Sequence, residues 1–306
     1  MSTGLEAGRG GARDGRPRPE RGPRGTEGTE EPNEAEARHV LDRAFAEYQP
    51  IALYAMFSGG HDSLVAAHLA AQHPRFTACV HIDTGIGIEE TREFVRETCH
   101  REGWPLVELV TPPSVYEELV LTYGFPGYGM HSGVYQRLKE RRVADLVRQA
   151  KAGQSRLAMV ALATGIRRME SARRMGRVVT LQKEGSRLWV APLHDWSGID
   201  VREYMALHGL PSNPVVDLLH MSGECLCGSF ARPGELAEIA LWYPRAAARI
   251  FELERRVREA GSPPRPWGWT GDRRGTRALC QQCQLRDPEL HQVQLRTIDS
   301  EEGAAA

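Results

Sequence analysis

The stretch ALYAMFSGGHDS, residues 52–63, joins an apolar run to two glycines and then to a cluster of polar side chains. The apolar run is typical of a buried β-strand. Because Gly59 and Gly60 carry no side chain, another molecule can approach the main chain closely just after the strand. A helix that begins at such a turn presents unpaired N–H groups and the positive end of its dipole, which favour an anion such as phosphate. The stretch predicts a strand, a phosphate-binding loop and a helix; a tight turn with Asp62 or Ser63 as a helix cap is the alternative.

Apolar segments that resemble strands alternate with helical patterns along the middle of the chain. The five strand-like segments are residues 51–57, 75–82, 105–110, 157–163 and 187–193. Strands that are apolar throughout and separated by helices favour a parallel sheet covered on both faces. The sequence therefore predicts an α/β fold, a doubly wound and mainly parallel five-stranded sheet, with its ligand site beyond the carboxyl ends of the strands.

Composition excludes several classes of function. The 306 residues include 39 basic and 40 acidic side chains, a net charge of -1, so no global field attracts nucleic acid or a lipid surface. No apolar run is long enough for a membrane helix, and the first residues lack the pattern of a signal peptide, which predicts a cytoplasmic protein with no membrane contact. Residues 1–35 and 296–306 are poor in apolar side chains, so we expect disordered tails there.

Four of the six cysteines form two close pairs, Cys225-Leu226-Cys227 and Cys280-Gln281-Gln282-Cys283. Two such pairs can bring four thiolates to one metal. Helical patterns lie between them, so residues 218–295 are predicted to form a small C-terminal helical metal-binding subdomain. On ligand number alone, Zn²⁺ and a [4Fe-4S] cluster fit equally well.

Four motifs in order resemble those of the phosphoadenosine phosphosulfate (PAPS) reductase family. S-G-G-x-D-S at 58–63 resembles the PP-loop of that family and of the N-type ATP pyrophosphatases. HIDTGIGIEETREFV (81–95), TGIRRMESARRM (164–175) and PLHDWSGIDVREYMALHGLPSNPVVD (192–217) resemble three further family segments. The resemblance implies an adenine nucleotide alpha hydrolase-like fold over residues 36–217, and ATP or PAPS bound with Mg²⁺.

The same resemblance implies a set of site residues, and their chemistry agrees with it. Arg167 and Arg174 lie three and four positions from Glu170, so on a helix that glutamate can orient both guanidinium groups toward one anion. Asp83, at a strand end, can hold magnesium or a ribose hydroxyl, or else cap a turn. The predicted catalytic residues are Asp62, Arg167 and Arg174. The predicted nucleotide-binding residues are Ser58, Gly59, Gly60, Asp62, Ser63, Asp83, Thr84, Gly85, Gly165, Arg167 and Glu170.

Cluster-bearing relatives and the tight C-x-C spacing favour iron-sulfur over zinc at Cys225, Cys227, Cys280 and Cys283. No cysteine follows Cys283, whereas assimilatory reductases use a C-terminal E-C-G-[IL]-H cysteine as nucleophile. The resemblance is therefore closer to cluster-bearing members that release pyrophosphate from ATP and support sulfur insertion. A PAPS or adenylylsulfate reductase and a non-catalytic nucleotide-sensing subunit are the alternatives. A sulfur-donor or acceptor-presenting protein is the expected partner, and a nucleic acid acceptor stays open.

Overall fold

The computed structural model describes residues 32–168, 179–263 and 265–269. Within these residues the chain forms a single six-stranded sheet in the order β3-β2-β1-β4-β6-β5. The strands are β1 (Ala52–Met56), β2 (Phe76–Asp83), β3 (Leu106–Val110), β4 (Val160–Ala163), β5 (Leu181–Glu184) and β6 (Arg187–Val190). Every neighbouring pair is parallel except β5 and β6, which are antiparallel.

The helices that connect and cover these strands are α1 (Pro32–Tyr48), α2 (His61–Ala71), α3 (Glu89–Arg101), α4 (Pro113–Tyr123), α5 (His131–Tyr135), α6 (Arg141–Ala150), α7 (Gly198–Leu207), α8 (Pro214–Leu219), α9 (Glu235–Trp242) and α10 (Pro244–Glu259). A 3-10 turn precedes α5 at Tyr128–Met130, and a π-helical turn, Gln136–Glu140, joins α5 to α6. None of the helices in the described part of the chain is both long and apolar enough to cross a membrane.

The α/β class and the mainly parallel sheet are confirmed, but the prediction of five strands is wrong. The missed strand, β5, has the sequence LQKE and no buried side chain, so it lacks the apolar signal by which the other strands were found. It pairs only with β6, through the two-residue turn Gly185-Ser186, where Gly185 has a φ of 57°. An edge strand of a hairpin pairs with one neighbour only and buries at most one of its faces. The sequence of β5 therefore has only a weak apolar pattern.

The order of the strands sets the position of the site. The chain moves outward from β1 through β2 to β3, then crosses back so that β4 pairs with the other side of β1. The winding therefore reverses between β1 and β4. In open α/β sheets the crevice at the carboxyl ends of the strands flanking this reversal is where ligands bind.

The central strands β1, β2 and β4 are buried on both faces, as a doubly wound fold requires. Leu53 and Ala55 of β1 belong to one apolar cluster, which α1, α2 and α7 complete. Tyr54, between them, belongs to a second cluster with Val80, Leu162 and side chains of α6 on the opposite face. This alternation follows from the two-residue period of a strand. Truncating a fully buried residue such as Leu53 to alanine would cost about 2–5 kcal/mol.

A third apolar cluster joins α4 to α9 and α10 and includes Leu226 and Cys227. Arg256 of α10 donates from Nη1 to Oε2 of Glu117 on α4 over 2.8 Å, which fixes the two helices side by side. The helices that follow residue 218 are thus packed on an element of the α/β layer. The predicted domain boundaries, 36–217 and 218–295, remain predictions.

Candidate nucleotide-binding site

The chain leaves β1 through a glycine loop and enters α2 without a side-chain cap. Phe57 N donates to Val80 O over 2.8 Å, which continues the parallel pairing just past β1. Gly59 then adopts a φ of 84°, a conformation that side chains rarely tolerate, and Gly60 is the N-cap of α2. Gly60 has no side chain that could accept a hydrogen bond from the first turn of the helix. The first N–H groups of α2 face the crevice at the winding reversal, as an anion site requires.

The two serines of the loop have different roles. Ser63 is buried, and its Oγ donates to Gly60 O over 2.8 Å and accepts from Ser58 N over 3.2 Å. The Ser58 hydroxyl lies 3.1 Å from that of Ser63. Ser63 therefore stabilises the loop from inside, whereas Ser58, a half-buried residue, lies at the start of the loop.

Gly165 lies directly against the loop, at the carboxyl end of β4. A Cβ at this position would be 2.4 Å from the carbonyl carbon of Asp62 and 2.6 Å from Ser63 N. Only glycine fits, because backbone atoms on the other side cannot move away as a side chain can. The loop after β4 is thereby brought into contact with the first turn of α2.

Arg167 reaches the same turn two residues later. Its Nε lies 3.1 Å from Oδ1 of Asp62, and both side chains are mostly buried. The contact is an ion pair without good hydrogen-bond geometry, since the same Nε lacks a well-aligned acceptor. Arg168 turns away and pairs with Asp195 at 3.4 Å. The predicted partners Glu170 and Arg174 lie outside the described residues.

Asn213 is a part of the site that the sequence analysis did not assign. Its side chain is fully buried, and Nδ2 donates to Gly59 O over 2.9 Å. Its Oδ1 accepts from Val215 N over 3.0 Å and so caps α8. One side chain thus joins the phosphate loop to a helix 154 positions further along the chain. Asparagine followed by proline is a common start of a helix, so the sequence held a local signal for the cap, but only the fold shows that the side-chain amide contacts Gly59.

The three residues predicted at the end of β2 lie beside this loop. The Asp83 carboxylate accepts from Gly85 N over 2.9 Å and forms an ion pair with Arg92 of α3, a partner that the sequence analysis missed. The Thr84 hydroxyl is buried and donates to Glu224 O over 2.8 Å. Gly85 has a φ of 75°, and a Cβ there would be 2.7 Å from Thr111 O. Their nucleotide contacts remain predictions.

The segment 222–227, which carries Cys225 and Cys227, is docked on the loop after β2. Ile88 N donates to Gly223 O over 2.8 Å, and Leu226 N donates to Ile86 O over 3.1 Å. A Cβ at Gly60 would lie 3.6 Å from Cβ of Ser222. The cysteine segment is therefore a direct neighbour of the phosphate loop.

The two thiols of this segment have opposite tendencies to ionise. The hydrogen bond between Cys225 and Cys227 lowers the pKa of Cys227 well below its usual value, helped by His131 and Ser229 and opposed by burial. The same hydrogen bond, with burial, raises the pKa of Cys225. A lowered pKa favours the thiolate form, which is the form of cysteine that binds a metal. Within residues 32–168, 179–263 and 265–269, however, no three side chains are arranged as metal ligands, and Cys280 and Cys283 lie outside these ranges.

A doubly wound α/β sheet with a glycine loop at its winding reversal is typical of nucleotide-binding proteins. Sequence comparison identifies the family. The model of the phosphoadenosine phosphosulfate reductase domain matches residues 52–222, and the chain belongs to that family. The predicted family is thereby confirmed.

Similar proteins include adenosine 5'-phosphosulfate reductases. That of Mesorhizobium japonicum is 27% identical over 205 residues, which is 66% of this chain and 76% of the relative. That of Bacillus cereus is 26% identical over 200 residues, 64% of this chain and 81% of the relative. Among solved structures, the PAPS reductase of Candida auris in complex with phosphate superposes with a TM-score of 0.44 at 18% identity, covering 60% of this chain and 84% of that one.

Proposed function

We propose that this protein binds an adenine nucleotide in the loop Ser58–Ser63 and releases pyrophosphate from ATP, adenylylating an acceptor for sulfur insertion. The observation that carries the proposal is the uncapped start of α2 at the winding reversal, held by Ser63 and crossed closely by Gly165. Bare main-chain N–H groups in a crevice favour phosphate over neutral ligands. Membership of the PAPS reductase family supports an adenine nucleotide as the source of that phosphate.

The reaction would transfer the adenylyl group. An acceptor oxygen attacks the α-phosphorus, a new P–O bond forms, and the bond to the bridging oxygen of the β-phosphate breaks. Pyrophosphate leaves with the bond electrons, and a hydroxyl acceptor loses its proton to water. The protein would position the nucleotide and stabilise charge that spreads over the phosphate oxygens.

Each predicted residue has a part in this scheme. The N–H groups after Gly60 would hold the phosphate chain, and Arg167 would supply positive charge from a place fixed by Asp62. Asp83 would bind Mg²⁺ or a ribose hydroxyl, for which its Arg92 ion pair would have to open or rearrange. Glu170 and Arg174 would complete the anion site from the same stretch as Arg167.

The cysteine pairs would add a metal to this site. We propose that Cys225 and Cys227 join Cys280 and Cys283 in holding a [4Fe-4S] cluster, with Zn²⁺ as the alternative. The hydrogen-bonded side chains of Cys225 and Cys227, in the segment whose Ser222 adjoins Gly60, support this placement. A cluster would supply electrons to sulfur chemistry, whereas zinc would only close the fold. Anaerobic purification followed by an absorption spectrum and metal analysis distinguishes a brown iron protein from a colourless zinc protein.

A second candidate function is reduction of adenylylsulfate or PAPS, which the names of the similar proteins favour. Those reductions release sulfite and need a thiol reductant such as thioredoxin. The E-C-G-[IL]-H motif that assimilatory reductases use as nucleophile does not occur in the 306 residues. A third candidate is a nucleotide-sensing subunit without turnover.

One set of assays separates the three candidates. Purified protein is supplied with Mg-ATP and assayed for pyrophosphate, and with adenylylsulfate or PAPS plus thioredoxin and assayed for sulfite. Ser58→Ala and Asp62→Asn should abolish whichever of these two products the unmodified protein releases. Ser155→Ala and Asp42→Asn, which change exposed residues outside the phosphate loop, are the matched controls. Sulfite release without pyrophosphate release would replace the first candidate by the second. Tight binding with no product of either kind would favour the third.

A further inference from the structure

His61, the first residue of α2, is joined to two later residues by a chain of hydrogen bonds. Its Nε2 lies 2.9 Å from the hydroxyl of Ser212, and that hydroxyl donates to Oδ1 of Asp217 over 2.6 Å. Nε2 is 3.8 Å from the same carboxylate oxygen. Ser212 precedes Asn213, so two consecutive residues of one loop contact two residues of the phosphate loop.

The chemistry of these groups decides where the protons are. A carboxylate only accepts hydrogen bonds, so the Ser212 hydroxyl donates its hydrogen bond to Asp217. Its oxygen is then an acceptor for the N–H of His61 Nε2. The neutral imidazole is thereby held in the tautomer with Nε2 protonated and Nδ1 carrying the lone pair. Protonation at Nδ1 would charge the ring without disturbing the contact with Ser212.

The position of His61 places this ring at the proposed phosphate site. Because Cα–Cβ bonds tilt toward the start of a helix, a side chain at the first position projects toward the N-terminal end of α2. The charged groups around the ring are Asp217 of α8, Arg202 of α7 and the neighbouring Asp62, which is paired with Arg167. Burial lowers the pKa of His61, the Asp217 carboxylate counteracts this, and Arg202 lowers the pKa further. The free protein therefore holds the ring neutral near pH 7.

We propose that His61 is a further residue of the phosphate site, held by Ser212 and Asp217 so that Nδ1 faces a bound phosphate and supplies positive charge to it. This inference rests on the proposed binding of an adenine nucleotide to the loop. A phosphate next to the ring stabilises the imidazolium, so binding takes up a proton. The added affinity is fully present at acidic pH and is lost as pH rises through the pKa of His61 in the complex.

The test compares nucleotide binding by three proteins across a pH series. Mg-ATP is titrated calorimetrically between pH 5.5 and 8.5 into the unmodified protein, His61→Gln and His61→Lys. Titration of the nucleotide itself is common to all three and cancels in the comparison. At pH 5.5 the unmodified protein should bind about three- to tenfold more tightly than His61→Gln, the range expected for one partly exposed charge near a helix start. At pH 8.5 the two should agree within about twofold, and His61→Lys should stay tight throughout.

Two further measurements sharpen the result. The NMR pKa of His61, read from its imidazole resonances, should rise when Mg-ATP is added. Ser212→Ala removes the hydrogen bond that orients the His61 ring. At pH 5.5 its affinity for Mg-ATP should therefore be closer to that of His61→Gln than the affinity of the unmodified protein is. Parallel pH profiles for the unmodified protein and His61→Gln, or an unchanged pKa in the complex, would overturn the inference while leaving nucleotide binding intact. Absence of binding in all proteins at every pH would instead overturn the proposed function, and with it this inference.

Discussion

Replacing Asn213 with alanine should destabilise both the fold and the phosphate loop, because this buried amide serves two backbone groups at once. Its Oδ1 caps α8 at Val215 N, and its Nδ2 satisfies Gly59 O. Loss of a helix cap costs about 1 kcal/mol. Leaving a buried carbonyl without a donor costs a further 1–3 kcal/mol or so. The free energy of unfolding should therefore fall by about 2–4 kcal/mol, or roughly 5–15 °C in Tm for a domain of this size.

Asn213→Asp separates the two contributions. Aspartate keeps an oxygen that can cap α8, but it replaces the donor to Gly59 O with a second acceptor and adds a negative charge beside the loop. We expect this variant to keep the cap contribution of about 1 kcal/mol while losing more nucleotide affinity than the alanine variant. Chemical denaturation gives the stabilities, and calorimetric titration with Mg-ATP gives the affinities.

The result that would refute this reasoning is a small effect. If Asn213→Ala lowers the free energy of unfolding by less than about 0.5 kcal/mol, the amide does not carry the two contacts that its geometry indicates. If Asn213→Asp binds Mg-ATP as well as the unmodified protein, the Nδ2 contact with Gly59 does not shape the phosphate loop. Either outcome would indicate that Ser63 and the glycines, and not Asn213, stabilise the conformation of the phosphate loop.

Two other predictions concern the loop and the helix layer. Gly165→Ala should abolish Mg-ATP binding and lower Tm, because its Cβ would lie 2.4 Å from the carbonyl carbon of Asp62. Gly133→Ala is the matched control, since a Cβ there meets open space. Equal Mg-ATP affinities for the two variants would contradict the clash. Burial lowers the pKa of His68, so the unfolded chain binds the proton more readily, and the free energy of unfolding should fall as pH drops below the unfolded value of 6.5. His68→Gln should make that fall smaller in urea titrations between pH 5 and 7, whereas exposed His39→Gln should leave it unchanged. A fall of undiminished size in His68→Gln would assign it to other groups.

Local sequence was sufficient for the elements that have strong local signals. The apolar run of β1 and the glycines after it predicted a strand and a helix that begins after the glycines, and both are present. Apolar runs also located β2, β3, β4 and β6 to within a few residues. The polar edge strand β5 escaped because an edge strand with no buried side chain has little apolar signal to detect. The cysteine pair at 225–227 was found by spacing, but the docking of its segment on the loop after β2 was not.

The amino-acid sequence by itself determined that this chain has a glycine loop between a buried strand and a helix, since chain conformation there depends on residues within a few positions. Only the tertiary structure decided which distant groups surround that loop. Asn213 lies 154 positions from Gly59, and Ser212 lies 151 positions from His61. Their contacts exist because α7 packs on α2, which brings the segment between α7 and α8 onto the start of α2. Hydrogen bonds of that kind depend on distances in space, for which the linear order of residues carries no local signal.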